Sequence, residues 1–128
     1  MKYYIGKILD CSYEDAIGKV TEALKSEGFG VLTQIDVKAT LKKKIDVDFR
    51  KYIILGACHP PSAHKALSTE MHIGLMLPCN VIVQENNEGK TEVSAIDPIA
   101  SMQAVENESL GALATEIKLK LEKVIASI

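Results

Sequence analysis

No stretch of this chain is long and apolar enough to cross a membrane: its longest apolar neighbourhood, residues 73–78, is broken by Gly74, whereas a span needs roughly 18 apolar residues. The opening MKYYIGKILD lacks the apolar core and small-residue cleavage site of an export signal. The fold is therefore expected to begin with it, and the protein to be cytoplasmic and free of the membrane. Excess positive charge is also missing. With 15 basic and 17 acidic residues the net charge is -2, which gives no electrostatic reason to hold a nucleic-acid backbone. The run Lys42-Lys43-Lys44 reads as a solvated helix end. Cysteine is scarce, at three residues with no CxxC pair, which argues for reduced thiols over a disulfide framework. Cys11 reads as a small apolar filler. A phosphate-binding glycine loop, HExxH and a Ser-centred elbow are all absent, so nothing indicates ATP or a dinucleotide and no cofactor is identified.

What is present is ordinary globular stock, 128 residues with 47% hydrophobic and 25% charged, the size of a single domain with one core. Residues 2–9 alternate as a first strand. Ser12 caps a helix running through Glu27 on the stripe Ala16, Ile17, Val20, Ala23 and Leu24, with Gly28 beyond its end. Residues 30–37 make a second strand with one dry side. KATLKKK is a short polar helix. Residues 51–58, with Tyr52-Ile53-Ile54-Leu55 unbroken, read as a strand covered on both faces.

Pro60 and Pro61 cannot serve a sheet but can open a helix, so His59 or Pro60 is expected to cap a helix over residues 61–69. Residues 71–78 form a packed loop. Strands at 79–85 and 90–97 flank a hairpin loop, a linker runs to Asn107, and an apolar stripe marks a last helix over 108–126. The order β-α-β-α-β-α-β-β-α predicts an α+β domain over residues 1–128, a mixed or largely antiparallel five-stranded sheet with helices on one face. Within the hairpin, setting Glu85 against Lys90 would mix apolar and charged groups on each face. A one-residue shift pairs Val83 with Val93 and Val81 with Ala95, leaves a three-residue loop with Gly89 left-handed, and brings Cys79 opposite Asp97.

Residues 51–80 hold two of the three cysteines, all three histidines and three of the four prolines, placed at the ends of apolar runs. Cys58 ends one strand and Cys79 begins another. If those strands are antiparallel, both thiols and Asp97 share one sheet edge, at which the helix after His59 aims its amides. His64 can point back toward it. Each residue also has a plainer reading: His59 as a cap, His64 and His72 as surface histidines, Asp97 as a strand-ending turn. Cys58, Cys79, a histidine and Asp97 are acceptable ligand types for zinc, but the usual close pairing is missing, so zinc is only an alternative and no metal site is assigned.

The run YIILGAC ending at Cys58, then Pro60-Pro61, Ala63, Ala66-Leu67, Gly74-Leu75 and Leu77-Pro78-Cys79-Asn80-Val81, resembles the family known as domain of unknown function 302. The likeness extends to the opening strand and helix, the ATLKKK segment and the VSAIDP return strand. Where that pattern has asparagine after its first cysteine, this chain has His59. The resemblance implies a prokaryotic α+β domain assembled as a dimer, with characteristic positions at Cys58, Pro60, Pro61, Pro78 and Cys79 and Asn80 beside them. The catalytic candidates are thus Cys58, Cys79 and Asp97, and the ligand-binding candidates His59, Pro60, His64 and Asn80. Two functions follow: a thiol-lined small-molecule or redox site, or a non-catalytic homodimeric module. In the first, Cys58 is the more acidic thiol, helped by the helix start and a cationic His59 or His64, while Asp97 keeps Cys79 protonated.

Overall fold

The computed structural model describes residues 2–128. Local signals in the sequence set most element ends. The Ser12 hydroxyl accepts the Asp15 amide at 3.0 Å and opens α1 (Tyr13–Ser26), which follows β1 (Tyr4–Leu9). Past its end Gly28 takes φ 83, the left-handed value that lets the last carbonyls of a helix be capped, and its N–H donates to Lys25. β2 (Gly30–Asp36) leads into α2 (Val37–Ile45), capped by the Asp36 carboxylate on the Ala39 amide. The lysine run lies in the last turn of α2, exposed, with Lys42 reaching Asp46 and Asp48.

The remaining elements are β3 (Tyr52–Cys58), α3 (Pro60–Thr69), a 3-10 turn (Ile73–Met76), β4 (Cys79–Glu85), β5 (Thr91–Ile96), α4 (Pro98–Ser101) and α5 (Ser109–Ser127). All five strands join one sheet in the order β1-β5-β4-β3-β2, every pair antiparallel, so the fold is α+β. The hairpin register is Val83 on Val93 and Val81 on Ala95. Gly89 has φ 74, and the Asn86 N–H donates to Lys90 at 2.8 Å, closing a loop over 87–89.

Helices α1 and α5 bury one face of the sheet. Val20, Leu24, Leu55, Val81, Val83, Val93, Leu121 and Val124 are fully buried there. Because only that face receives these helices, β3 alternates: Ile53 and Leu55 are buried while Tyr52 and Ile54 are half-buried, so the strand is not covered on both faces. β2 has no dry side either. It is an edge strand, a bulge between Val31 and Thr33 breaks its alternation, and Leu32 is 68% exposed. The linker contains the short α4, capped by Asp97. Gly56 is a true close approach: a Cβ there would lie 2.1 Å from Thr33 Oγ1 and 2.8 Å from Pro78 Cγ, so the small residue lets β2 and the segment before β4 meet over β3. The Leu77–Pro78 peptide is cis.

Candidate functional site

Antiparallel pairing of β3 and β4 sets Ala57 opposite Cys79, which brings Cys58 and Cys79 to one end of the sheet. Beside them is a cavity of about 350 Å³, and both thiols line it. Its floor is the sheet end with Ala57 and Pro78. One wall is α3, through Ser62, Ala66 and Leu67; the facing wall is α5, through Leu110, Ala114 and Ile117. Pro98 and Met102 close one side. α3 faces the space mainly with small residues, Ser62, Ala63 and Ala66, to which α5 adds Ala114, and none of the lining residues is charged.

His59 also lines the cavity, held from three sides. Its carbonyl accepts the Ala63 amide at 2.9 Å, so its backbone caps α3, but its side chain does not. Instead Nδ1 lies 2.7 Å from the Ser62 hydroxyl, the ring packs 5.5 Å from Phe29, and its Cδ2–Nε2 edge lies over Gly28. Burial pushes its pKa below the ordinary value, the charge of Lys120 pushes the same way, Glu116 opposes and Lys65 adds to the lowering. A neutral imidazole results near pH 7, so His59 gives no cationic help to a thiolate.

Burial drives the Cys79 thiol up to about 11, with the nearby Cys58 adding to the rise. Asp97 plays no part in that. It lies outside the cavity lining, with its carboxylate accepting the Ile99 amide at 2.9 Å and pairing with Lys118 at 3.0 Å. Burial raises its pKa, but the Lys118 hydrogen bond, the amides of Ile99 and Ala100 and the Lys118 charge outweigh it, and the net value falls below the ordinary carboxylate range. The group thus clamps α4 to α5. Asp97→Ala should cost about 1–2 kcal/mol, from a lost cap and a partly buried ion pair, with no change in thiol labelling. Because the folded pKa is depressed, this contribution is present above the ordinary carboxylate pKa and lost as pH falls through the folded value. Urea unfolding at several pH values checks both the cost and its disappearance in acid.

The other candidates separate from the cavity. Pro60 is exposed on the first turn of α3, and His64 is exposed farther along the same helix. Asn80, one residue past Cys79, is exposed and belongs to the opposite sheet face with Tyr52 and Ile82. Strand alternation explains that division. Among the described residues no group of three or more His, Cys, Asp or Glu side chains is placed to hold a metal, so the zinc alternative has no ligand set. Sequence reasoning missed Ser62 and the α5 wall. Ser62 and Ala66, a turn apart on α3, were the legible signal, whereas Leu110, Ala114 and Ile117 looked like plain core stripe.

Among the described residues, no helix is long and apolar enough to cross a membrane. No curated protein matches the chain. Among solved structures it is similar to the crystal structure of an uncharacterized conserved DUF302 protein from Bacillus stearothermophilus. The two share 27% identity over 99% of this chain and 98% of that one, with a TM-score of 0.92. The family model for the domain of unknown function DUF302 matches residues 5–128, nearly the whole length, and the chain therefore belongs to the DUF302 family.

Proposed function

We propose that this domain binds an apolar small molecule in the cavity between the sheet end, α3 and α5, with Cys58 and Cys79 in its wall. The observation that carries this reading is the cavity itself, about 350 Å³ with two thiols and no charged side chain around it. That volume falls within the range of small-molecule sites. If the bound molecule reacts with sulfur, Cys58 is the candidate nucleophile, since Cys79 stays a thiol at neutral pH. A fragment screen by thermal shift, read together with alkylation, tests it. Binders should raise Tm and shield Cys58 from alkylation while leaving Cys11, at the far end of the sheet pairing, untouched. A broad apolar library that does neither would overturn the reading.

A second reading, homodimerisation, is favoured by a separate observation. The edge strand β2, the following α2 and the segment just past it leave Leu32, Ile35, Ile45 and Val47 exposed, and α2 buries no residue at all. An uncovered strand edge with apolar neighbours is what a second copy would cover. Sedimentation should therefore give twice 13.9 kDa. Ile35→Lys should shift the species toward monomer, and a wild-type monomer persisting at high micromolar concentration would sink the dimer.

A further inference from the structure

The cavity is apolar along its length but not uniform. α3 and α5 lie side by side, with Ala66 against Leu110 at one end, while His59 senses Glu116 and Lys120 at the other. At that second end is Ser62, only 6% exposed and bonded to His59. It is the one hydroxyl lining the space. A hydroxyl has one hydrogen to give and two lone pairs, and the single bond to Nδ1 leaves capacity over. If Nδ1 carries the proton, Ser62 keeps its hydrogen; if Nδ1 is bare, Ser62 keeps its lone pairs. The rim, in contrast, carries Leu32 and Leu67, the latter 50% exposed.

Resting on the small-molecule reading above, we propose that the ligand is an uncharged amphiphile with a hydrocarbon body and one hydroxyl or carbonyl head, the head meeting Ser62 Oγ. A hydroxyl head answers either tautomer of His59, because it can both donate and accept. The cavity of about 350 Å³ holds about a dozen heavy atoms at roughly 30 Å³ each, the space a water takes in its liquid. A charged head is excluded by the lining. No lysine, arginine, aspartate or glutamate borders the cavity, so a carboxylate or ammonium drawn into it would be desolvated without a partner. The neutral state of His59 removes the remaining source of compensating charge.

Four probes of matched length test this on the full chain: decanol, 1-fluorodecane, decanoate and decylammonium, competing with a fluorescent apolar dye at pH 7.5. Decanol should bind at least about tenfold more tightly than either ion. Ser62→Ala, a change that suits a helix, should weaken decanol roughly fivefold, the worth of one hydrogen bond, and leave 1-fluorodecane unmoved. Ions that bind as well as decanol would overturn the proposal using wild-type protein alone, and so would a decanol affinity indifferent to Ser62→Ala in a variant with unchanged Tm. If neither decanol nor 1-fluorodecane binds or shields Cys58, the cavity reading itself falls. If both bind and only the head-group preferences are missing, the cavity reading survives and this inference does not.

Discussion

At pH 7.5, Cys79 is expected to take up iodoacetamide at least about tenfold more slowly than a free cysteine, its roughly hundredfold smaller thiolate population being partly offset by the greater nucleophilicity of a more basic thiolate. Its pKa moves from an ordinary value of 9.0 to about 11, and the thiolate is the reacting species. Each unit removes a factor of ten in thiolate at a pH well below both values. Mass spectrometry after limiting alkylation should therefore show Cys58 modified before Cys79, and in denaturant the difference should vanish. Comparable labelling of the two thiols in the folded protein would sink the assignment. The same shift has a stability consequence with a definite sign. Because the folded pKa is raised, the contribution is intact below about pH 9 and is lost as pH rises through about 11. Cys79→Ala should flatten that alkaline decline, most cleanly below about pH 10, because above it Tyr13 adds a decline of its own: burial, then Asp36, Glu14 and Glu85, raise its hydroxyl from the ordinary 10.0 to about 12.

The reason Cys79 resists ionisation differs from the one its sequence position suggests. Reading the hairpin register outward sets Val81 on Ala95, as observed, while its extension to Cys79 opposite Asp97 runs beyond the paired residues, and the Asp97 N–H donates instead to the Tyr3 carbonyl. The register cannot reveal that Asp97 already serves the Ile99 amide and Lys118, because α4 carries no amphipathic pattern in its four residues and Lys118 lies on an element joined only by tertiary packing. The meeting of Cys58 and Cys79 was legible in part: the strand ends are encoded locally, whereas the antiparallel pairing of β3 and β4, which α3 separates along the chain, entered only as a condition. What the cavity does was less so. Its walls come from facing helices, and whether Ala66 and Ala114 leave a void or close on each other depends on packing that no single stretch of sequence carries. Exposure of β2 was misread for a similar reason: alternation predicts a two-faced strand, but a bulge and an edge position are properties of the whole sheet.

Gly28→Ala should destabilise the protein by about 2–3 kcal/mol, more than a helix-ending glycine accounts for alone. The first part is local: at φ 83 an alanine pays about 1–2 kcal/mol for a left-handed backbone. The second part reaches the cavity. The new Cβ would stand 3.1 Å from His59 Cδ2 and 3.2 Å from Nε2, tighter than ordinary contact. His59 has little room to retreat, since Ser62 holds Nδ1 at 2.7 Å and Phe29 packs against the ring. Relief requires the ring to turn from Ser62, forfeiting a hydrogen bond worth about 1 kcal/mol. A double-mutant cycle separates the parts. In a His59→Ala background the ring is gone, so Gly28→Ala should cost only its backbone share, leaving a coupling of about 1 kcal/mol. Denaturant midpoints for the four proteins measure it. Equal costs in both backgrounds would show that the end of α1 does not position His59. A clear coupling would mean that the turn after α1 sets the polar end of the cavity, through a glycine that lines no part of it.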